Sequence, residues 1–166
     1  HSDSPTLKIK ESSEMNIENQ YVKLNVEKYG GMLCAPWFDR PLSVAGRIIV
    51  KDGNRLTTKL INVDRDLLMI PNLAIHMNRE VNDGYKYNIQ KDMLPLYRMS
   101  NSGKAFKEMI AEEAGVSVDQ IKGMDLFLYN RMEGTVWGCD GEFISAPRLD
   151  DLQCAFTSTM ALLNSE

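Results

Sequence analysis

The side chains able to do chemistry fall in a few places along the chain. His1 and Asp3 stand two apart, and on an extended segment that spacing turns both side chains to one face. One of them can then ligate a metal while the other fixes its orientation. Asp150, near the other end, is a carboxylate to be read together with them. His76 is the second histidine and sits in the apolar stretch Leu73-Ala74-Ile75-His76-Met77. Taken alone, a histidine so placed reads first as a packed, hydrogen-bonded side chain and only second as a catalytic one. The adjacent Glu112-Glu113 lies on an amphipathic segment with polar neighbours and reads as solvated helix surface. Cys139, between Gly138 and Asp140, would be the nucleophile of a small hydrolase that used His76 as its base. Neither a GxSxG elbow nor an HExxH helix supports that arrangement.

Composition narrows the function classes. The 166 residues are 43% hydrophobic and 25% charged, ordinary for a globular unit able to bury a core. A net charge of -4 and a pI near 5.3, with Lys and Arg scattered, give no electrostatic footprint for nucleic acid. The apolar runs are short and no signal-peptide pattern opens the chain, so no membrane partner is expected and the expected compartment is cytoplasmic. Cys34, Cys139 and Cys154 have no CxxC spacing, which predicts ordinary packed thiols rather than a disulfide framework or a zinc knuckle. The chain lacks an initiator Met, starts on a potential ligand and stops within a helical pattern. The expectation is an interior piece of a longer protein.

Strand and helix periods place these groups. Residues 6–10 alternate in strand fashion. Val22, Leu24 and Val26 alternate with polar residues until Gly30-Gly31 breaks the run. Leu42, Val44, Ile48 and Val50 form a second strand region, and Asp52-Gly53 predicts a hairpin into Leu56, Thr58 and Leu60. Gly46 interrupts the pattern and suggests a bulge. Pro36 and Pro41 keep residues 37–40 out of any central strand. Residues 64–77, broken by Pro71, suit one or two short helical turns, and residues 82–92 read as a polar loop. Phe106, Met109, Ile110 and Ala114 have helical spacing with Gly115 as the stop, and Ser117 with Gln120 resembles a capping box. Residues 125–130 and 142–146 read as strands. After Pro147, the positions Leu152, Ala155, Phe156, Thr159, Met160 and Leu163 have helical spacing. Trp37, Phe38 and Trp137 are read as core or interface packing rather than a ligand platform. Met69, Met93, Met99 and Met109 are read as core filler.

Ordered blocks across this pattern resemble one family. His1-Ser2-Asp3-Ser4-Pro5, Tyr29-Gly30-Gly31 with Trp37-Phe38-Asp39-Arg40 and Leu42-Ser43-Val44-Ala45-Gly46-Arg47, Ile70-Pro71-Asn72-Leu73-Ala74-Ile75-His76, and Glu142-Phe143-Ile144 with Pro147-Arg148-Leu149-Asp150 are similar to the aspartyl aminopeptidase, or aminopeptidase I, family. The resemblance implies a metallopeptidase with two zinc ions that removes N-terminal residues, often acidic, from peptides. It implies an α+β chain: a β-rich inserted dimerisation domain with short helices, flanked by edges of an α/β catalytic domain. The expected parts are residues 1–10 as the end of a catalytic segment, 11–140 as the insertion, and 141–166 as the return into the catalytic domain.

The resemblance also assigns roles. His1 would be a zinc ligand, Asp3 the carboxylate that orients it, and Asp150 the bridge between both metals. His76 would reach the neighbouring subunit's active site and help stabilise the tetrahedral intermediate. The implied partners are peptide substrates and further copies of the chain, as homodimers that assemble into dodecamers. Glu112-Glu113 precedes Asp150, whereas the family's catalytic pair follows it, and Asp151 stands where asparagine is more usual. With His1 and Asp150 alone of the expected ligands, this segment by itself is expected to be inactive. A different class of reading is a stand-alone, non-catalytic oligomerisation module that kept the inserted fold.

Overall fold

The computed structural model describes residues 3–165, which divide into two compact units: residues 6–131, and residues 3–5 with 132–165.

The larger unit is a six-stranded antiparallel sheet in the order β4-β3-β6-β1-β2-β5. Its strands are β1 (Thr6–Ile17), β2 (Tyr21–Tyr29), β3 (Leu42–Asp52), β4 (Arg55–Asn62), β5 (Leu96–Met99) and β6 (Ile121–Asn130). Alternation along the strands turns Leu7, Ile9, Val22, Leu24, Val26, Val44, Ile48, Val50, Leu126 and Leu128 to one face, all of them buried. Helix α2 (Phe106–Ala114) buries Phe106, Met109, Ile110 and Ala111. Its N-terminus receives carboxylates in place of a capping hydroxyl: Glu108 accepts from the Ala105 N–H at 3.1 Å and Glu14 from the Phe106 N–H at 3.0 Å. Both satisfy donors that the first turn leaves open. Gly115 ends the helix in the left-handed conformation, as its position predicts.

The smaller unit is described by itself. It contains the hairpin of β7 (Thr135–Trp137) and β8 (Phe143–Ser145), and helix α3 (Leu149–Leu163).

Several sequence expectations need correction. Gly46 is not at a bulge, because its pairing with both neighbouring strands is in register and the β3–β6 irregularity falls at Ile49/Val50. Its reason is close approach: a Cβ there would lie 2.2 Å from the Asp125 carbonyl oxygen. Strand β1 runs on to Ile17, past the apolar alternation, and turns through Glu18 and Asn19, both at positive φ. The Gln20 N–H closes that turn on the Ile17 carbonyl at 2.9 Å. In the loop expected over 82–92, Asn88 caps a short helix, α1 (Ile89–Asp92), by accepting from the Gln90 N–H. Met93 and Met109 fill the core, whereas Met69 and Met99 are exposed. Cys34 is half-buried, but Cys139 and Cys154 are exposed free thiols. Among the described residues, no helix is long and apolar enough to cross a membrane.

Candidate functional site

In the larger unit, the segment between β4 and β5 carries His76. It first closes over the end of the sheet: the Leu42 N–H donates to Leu68 O and the Leu68 N–H to Leu42 O, each at 2.9 Å. Met69 and Leu96 exchange backbone bonds, and Ile70 bridges Phe38. Pro71 then prevents further pairing and the chain leaves the sheet. In place of the helical turns expected over 64–77 there is one tight turn at residues 75–77, in which the Met77 N–H donates to Ala74 O at 2.8 Å. His76 is on this turn and exposed, so its imidazole is no satisfied core group. Its neighbours Leu73, Ile75 and Met77 are 64%, 46% and 75% exposed, a concentration of apolar surface around one titratable side chain.

The stem of that turn is tied to residues 37–39. After a short 3-10 turn at Ala35–Trp37, Asp39 adopts a left-handed φ of 55°. Its N–H donates to Ile70 O at 2.9 Å, and its carboxylate accepts from the Asn72 N–H at 2.9 Å and from Asn72 Nδ2 at 2.8 Å. Those two donors hold the Asp39 carboxyl below the usual carboxylate range. Phe38, beneath, is buried and stacks on Tyr87 at 5.0 Å.

A second anchor in this unit is Arg131, which donates to Asp64 Oδ1 and Asp66 Oδ1, both at 2.7 Å, and to the Tyr129 hydroxyl at 3.2 Å. A groove of about 420 Å³ beside β5 is bordered by Tyr21, Met69, Leu96 and Met99. Its charged neighbours are already engaged, Asp66 with Arg131 and Arg98 with Glu14. Glu112 and Glu113 are exposed and pair with Lys104 and Arg65, in keeping with solvated helix surface.

In the smaller unit, His1 lies outside the described residues. Asp3 is exposed, and the neighbouring Ser4 hydroxyl donates to the Asp150 backbone carbonyl at 3.1 Å. That bond brings the two ends of the sequence together around Asp150. Asp150 sits at the start of α3, after Arg148 at positive φ, with extended backbone angles and a cis peptide bond to Asp151. Hydrogen bonding to Asp151, then the like charge of that carboxylate, push the Asp150 carboxyl above its ordinary value. Two adjoining carboxylates are a donor set suited to a divalent cation, which would neutralise both. Among the described residues no group of three or more His, Cys, Asp or Glu is gathered. Cys139 is exposed in the β7–β8 hairpin, where the neighbouring Asp140 N–H donates to Glu142 at 2.9 Å.

Sequence reasoning missed the Asp39–Asn72 clamp, the Arg131 anchor and the Ser4–Asp150 bond. The first two join residues 33 or more apart.

The family model described as aminopeptidase I zinc metalloprotease (M18) matches residues 1–166. A probable M18 family aminopeptidase 2 of Clostridium acetobutylicum is 48% identical over 173 residues, covering 100% of this chain and 40% of the relative. One of Pseudomonas aeruginosa is 37% identical, again over 100% of the chain and 40% of the relative. Among solved structures, Chaetomium thermophilum mApe1 superposes with a TM-score of 0.84 at 34% identity, over 100% of this chain and 41% of that one. The S. cerevisiae mApe1 dodecamer gives a TM-score of 0.75 at 27% identity, over 98% and 37%. The chain thus spans about two-fifths of the length of the curated relatives it matches.

Proposed function

Because this chain belongs to the aminopeptidase I zinc metalloprotease (M18) family, we propose that it forms part of a dinuclear zinc aminopeptidase that removes N-terminal, often acidic, residues from peptides. Within that enzyme its own part is association of subunits and delivery of His76 to the partner's active site. The observation that carries this reading is the exposed turn at residues 75–77, where a histidine stands among uncovered apolar side chains. Such a surface suits burial against another protein chain, and a histidine at its centre is then placed inside the contact.

The residues divide the work as follows. Residues 1–10 and 141–166 belong to the catalytic part and residues 11–140 to the insertion. His1 and Asp150 would hold zinc, with Asp150 shared between two ions and Asp3 orienting His1. When bound, the metal pair supplies a water of lowered pKa and polarises the scissile carbonyl. His76 donates a hydrogen bond to the oxygen that gains charge as that carbonyl becomes tetrahedral; such a donor is typically worth about 2.7–4 kcal/mol. Without the remaining ligands the segment alone is inactive. Higher assembly into a dodecamer is proposed on the likeness to the S. cerevisiae structure described as one.

Turnover of the full-length protein on peptides differing in their first residue tests this. The expected result is stepwise release of the first residue, fastest for acidic ones, abolished by a chelator and restored by zinc. Internal cleavage, or hydrolysis indifferent to chelation, contradicts it.

A further inference from the structure

We propose that Asp39 is a positioning residue for catalysis: by clamping Asn72 it fixes the stem of the turn that presents His76. The inference rests on the reading of His76 given above. Among the described residues, the backbone bonds of the turn at residues 75–77 stay within it: the Met77 N–H donates to Ala74 O and the Asn78 N–H to Ile75 O. Its placement relative to the sheet is therefore set by its stem, and Pro71 stops the stem from pairing as a strand. Asp39 takes over at that point with three bonds within three residues: its N–H to Ile70 O, and its two carboxylate oxygens to the backbone and side-chain N–H groups of Asn72. Two parallel bonds to one acceptor fix direction as well as distance, as one bond does not. Three residues separate Asn72 from His76, so a swing at the clamp is carried to the imidazole.

The core does not require this aspartate. Asp39 and Asn72 are both exposed, while Phe38 and Ile70 on either side are buried and hold the two segments together. Asp39 also keeps a left-handed φ, which non-glycine residues adopt sparingly and which clusters at functional sites. An exposed carboxylate in a costly conformation, with both oxygens on the stem of a candidate catalytic turn, is accounted for by positioning rather than by stability.

The test is steady-state kinetics of the full-length assembled enzyme carrying Asp39→Ala, Asp39→Asn, His76→Ala and the double change Asp39→Ala/His76→Ala. A displacement of about 1 Å at a catalytic group can cost about 100-fold, so Asp39→Ala is expected to lower kcat by roughly 10- to 100-fold, with KM changed far less. Asp39→Asn keeps an acceptor for the Asn72 N–H and can pair with a flipped Asn72 amide, so it restores most of the loss. The double variant is expected to be no slower than His76→Ala alone, because both changes remove one function. A kcat near wild type for Asp39→Ala, with His76→Ala slow, overturns the inference alone. Losses that multiply in the double variant overturn it too. Wild-type turnover in His76→Ala overturns the underlying reading of His76 and the inference with it. Should Asp39→Ala fail to assemble by light scattering, Asn72→Ala, which removes only the side-chain arm, carries the same test.

Discussion

Lys8 and Asp125 meet across β1 and β6, with Nζ 2.9 Å from Oδ1, an ion pair somewhat off the line of an ideal hydrogen bond. The second oxygen of Asp125 takes the Arg47 guanidinium from β3 at 3.2 Å, so one carboxylate joins three neighbouring strands on the face opposite the core. The Lys8 ammonium also lies 5.5 Å above the Phe127 ring, which packs edge-on against Tyr29.

This cluster predicts the shape of the stability profile with pH. Lys8 foremost, then Arg47, holds the Asp125 carboxyl below its ordinary 3.8, and Asp125 raises the Lys8 ammonium above 10.5. A lowered acid stabilises the fold above 3.8 and loses that contribution as pH falls through its folded value; a raised base does so below 10.5 and loses it as pH rises. With both side chains about a third exposed, the contribution is small, about 0.5 kcal/mol or less. Thermal melts of Asp125→Asn between pH 2 and 8 are expected to show a slightly lower transition at neutral pH that converges with wild type in acid. A constant difference at every pH contradicts this.

Gly46→Ala should be among the most harmful single-methyl additions. The new Cβ would meet backbone rather than a movable side chain, at 2.2 Å from Asp125 O, and φ is 150°. A loss of about 2 kcal/mol or more is expected, read as a lowered denaturant midpoint. Gly53→Ala, where a Cβ meets open space, should be milder even though its φ of 57° also favours glycine.

Phe106 anchors α2 to the sheet, fully buried and edge-on to Tyr97 at 5.8 Å. Phe106→Ala is expected to cost about 3–5 kcal/mol. The loss should appear as unfolding of the larger unit, with early amide exchange in α2 and β5.

These expectations show what the sequence discloses and what it hides. Val22, Leu24 and Val26 announce their strand because a two-residue period is local, and Gly115 announces the end of α2 because a left-handed cap needs glycine. The order β4-β3-β6-β1-β2-β5 is not local, since β6 inserts between β1 and β3 from the far end of the unit. Strand β5 is short and half-buried, with no alternation to reveal it. Gly46 shows the same limit: the break in alternation was visible, but the carbonyl that forbids a side chain lies 79 residues away. At the candidate site, His1, Asp3, His76 and Asp150 are candidates that the family resemblance alone singles out. Asp39 was legible only as part of a motif, because its partner Asn72 is supplied by folding.

The apolar surface around His76 predicts that association depends on it. Ile75→Asp, at a residue 46% exposed here, should leave the melting of the isolated subunit little changed. A charge placed inside an apolar contact should nevertheless shift the dimer–monomer equilibrium by at least about tenfold toward monomer. A dilution series followed by light scattering checks this.

The central claim is that His76 serves the metal site of a neighbouring subunit, and subunit mixing tests it most directly. Full-length His76→Ala and Asp150→Ala proteins are each expected to be nearly inactive. Dissociated together in equal amounts and reassembled, they should regain about a quarter of wild-type turnover, because half of randomly formed pairs are mixed and each mixed pair has one complete site. If His76 acted within its own subunit, every site would lack one residue, and the mixture would remain as inactive as its components.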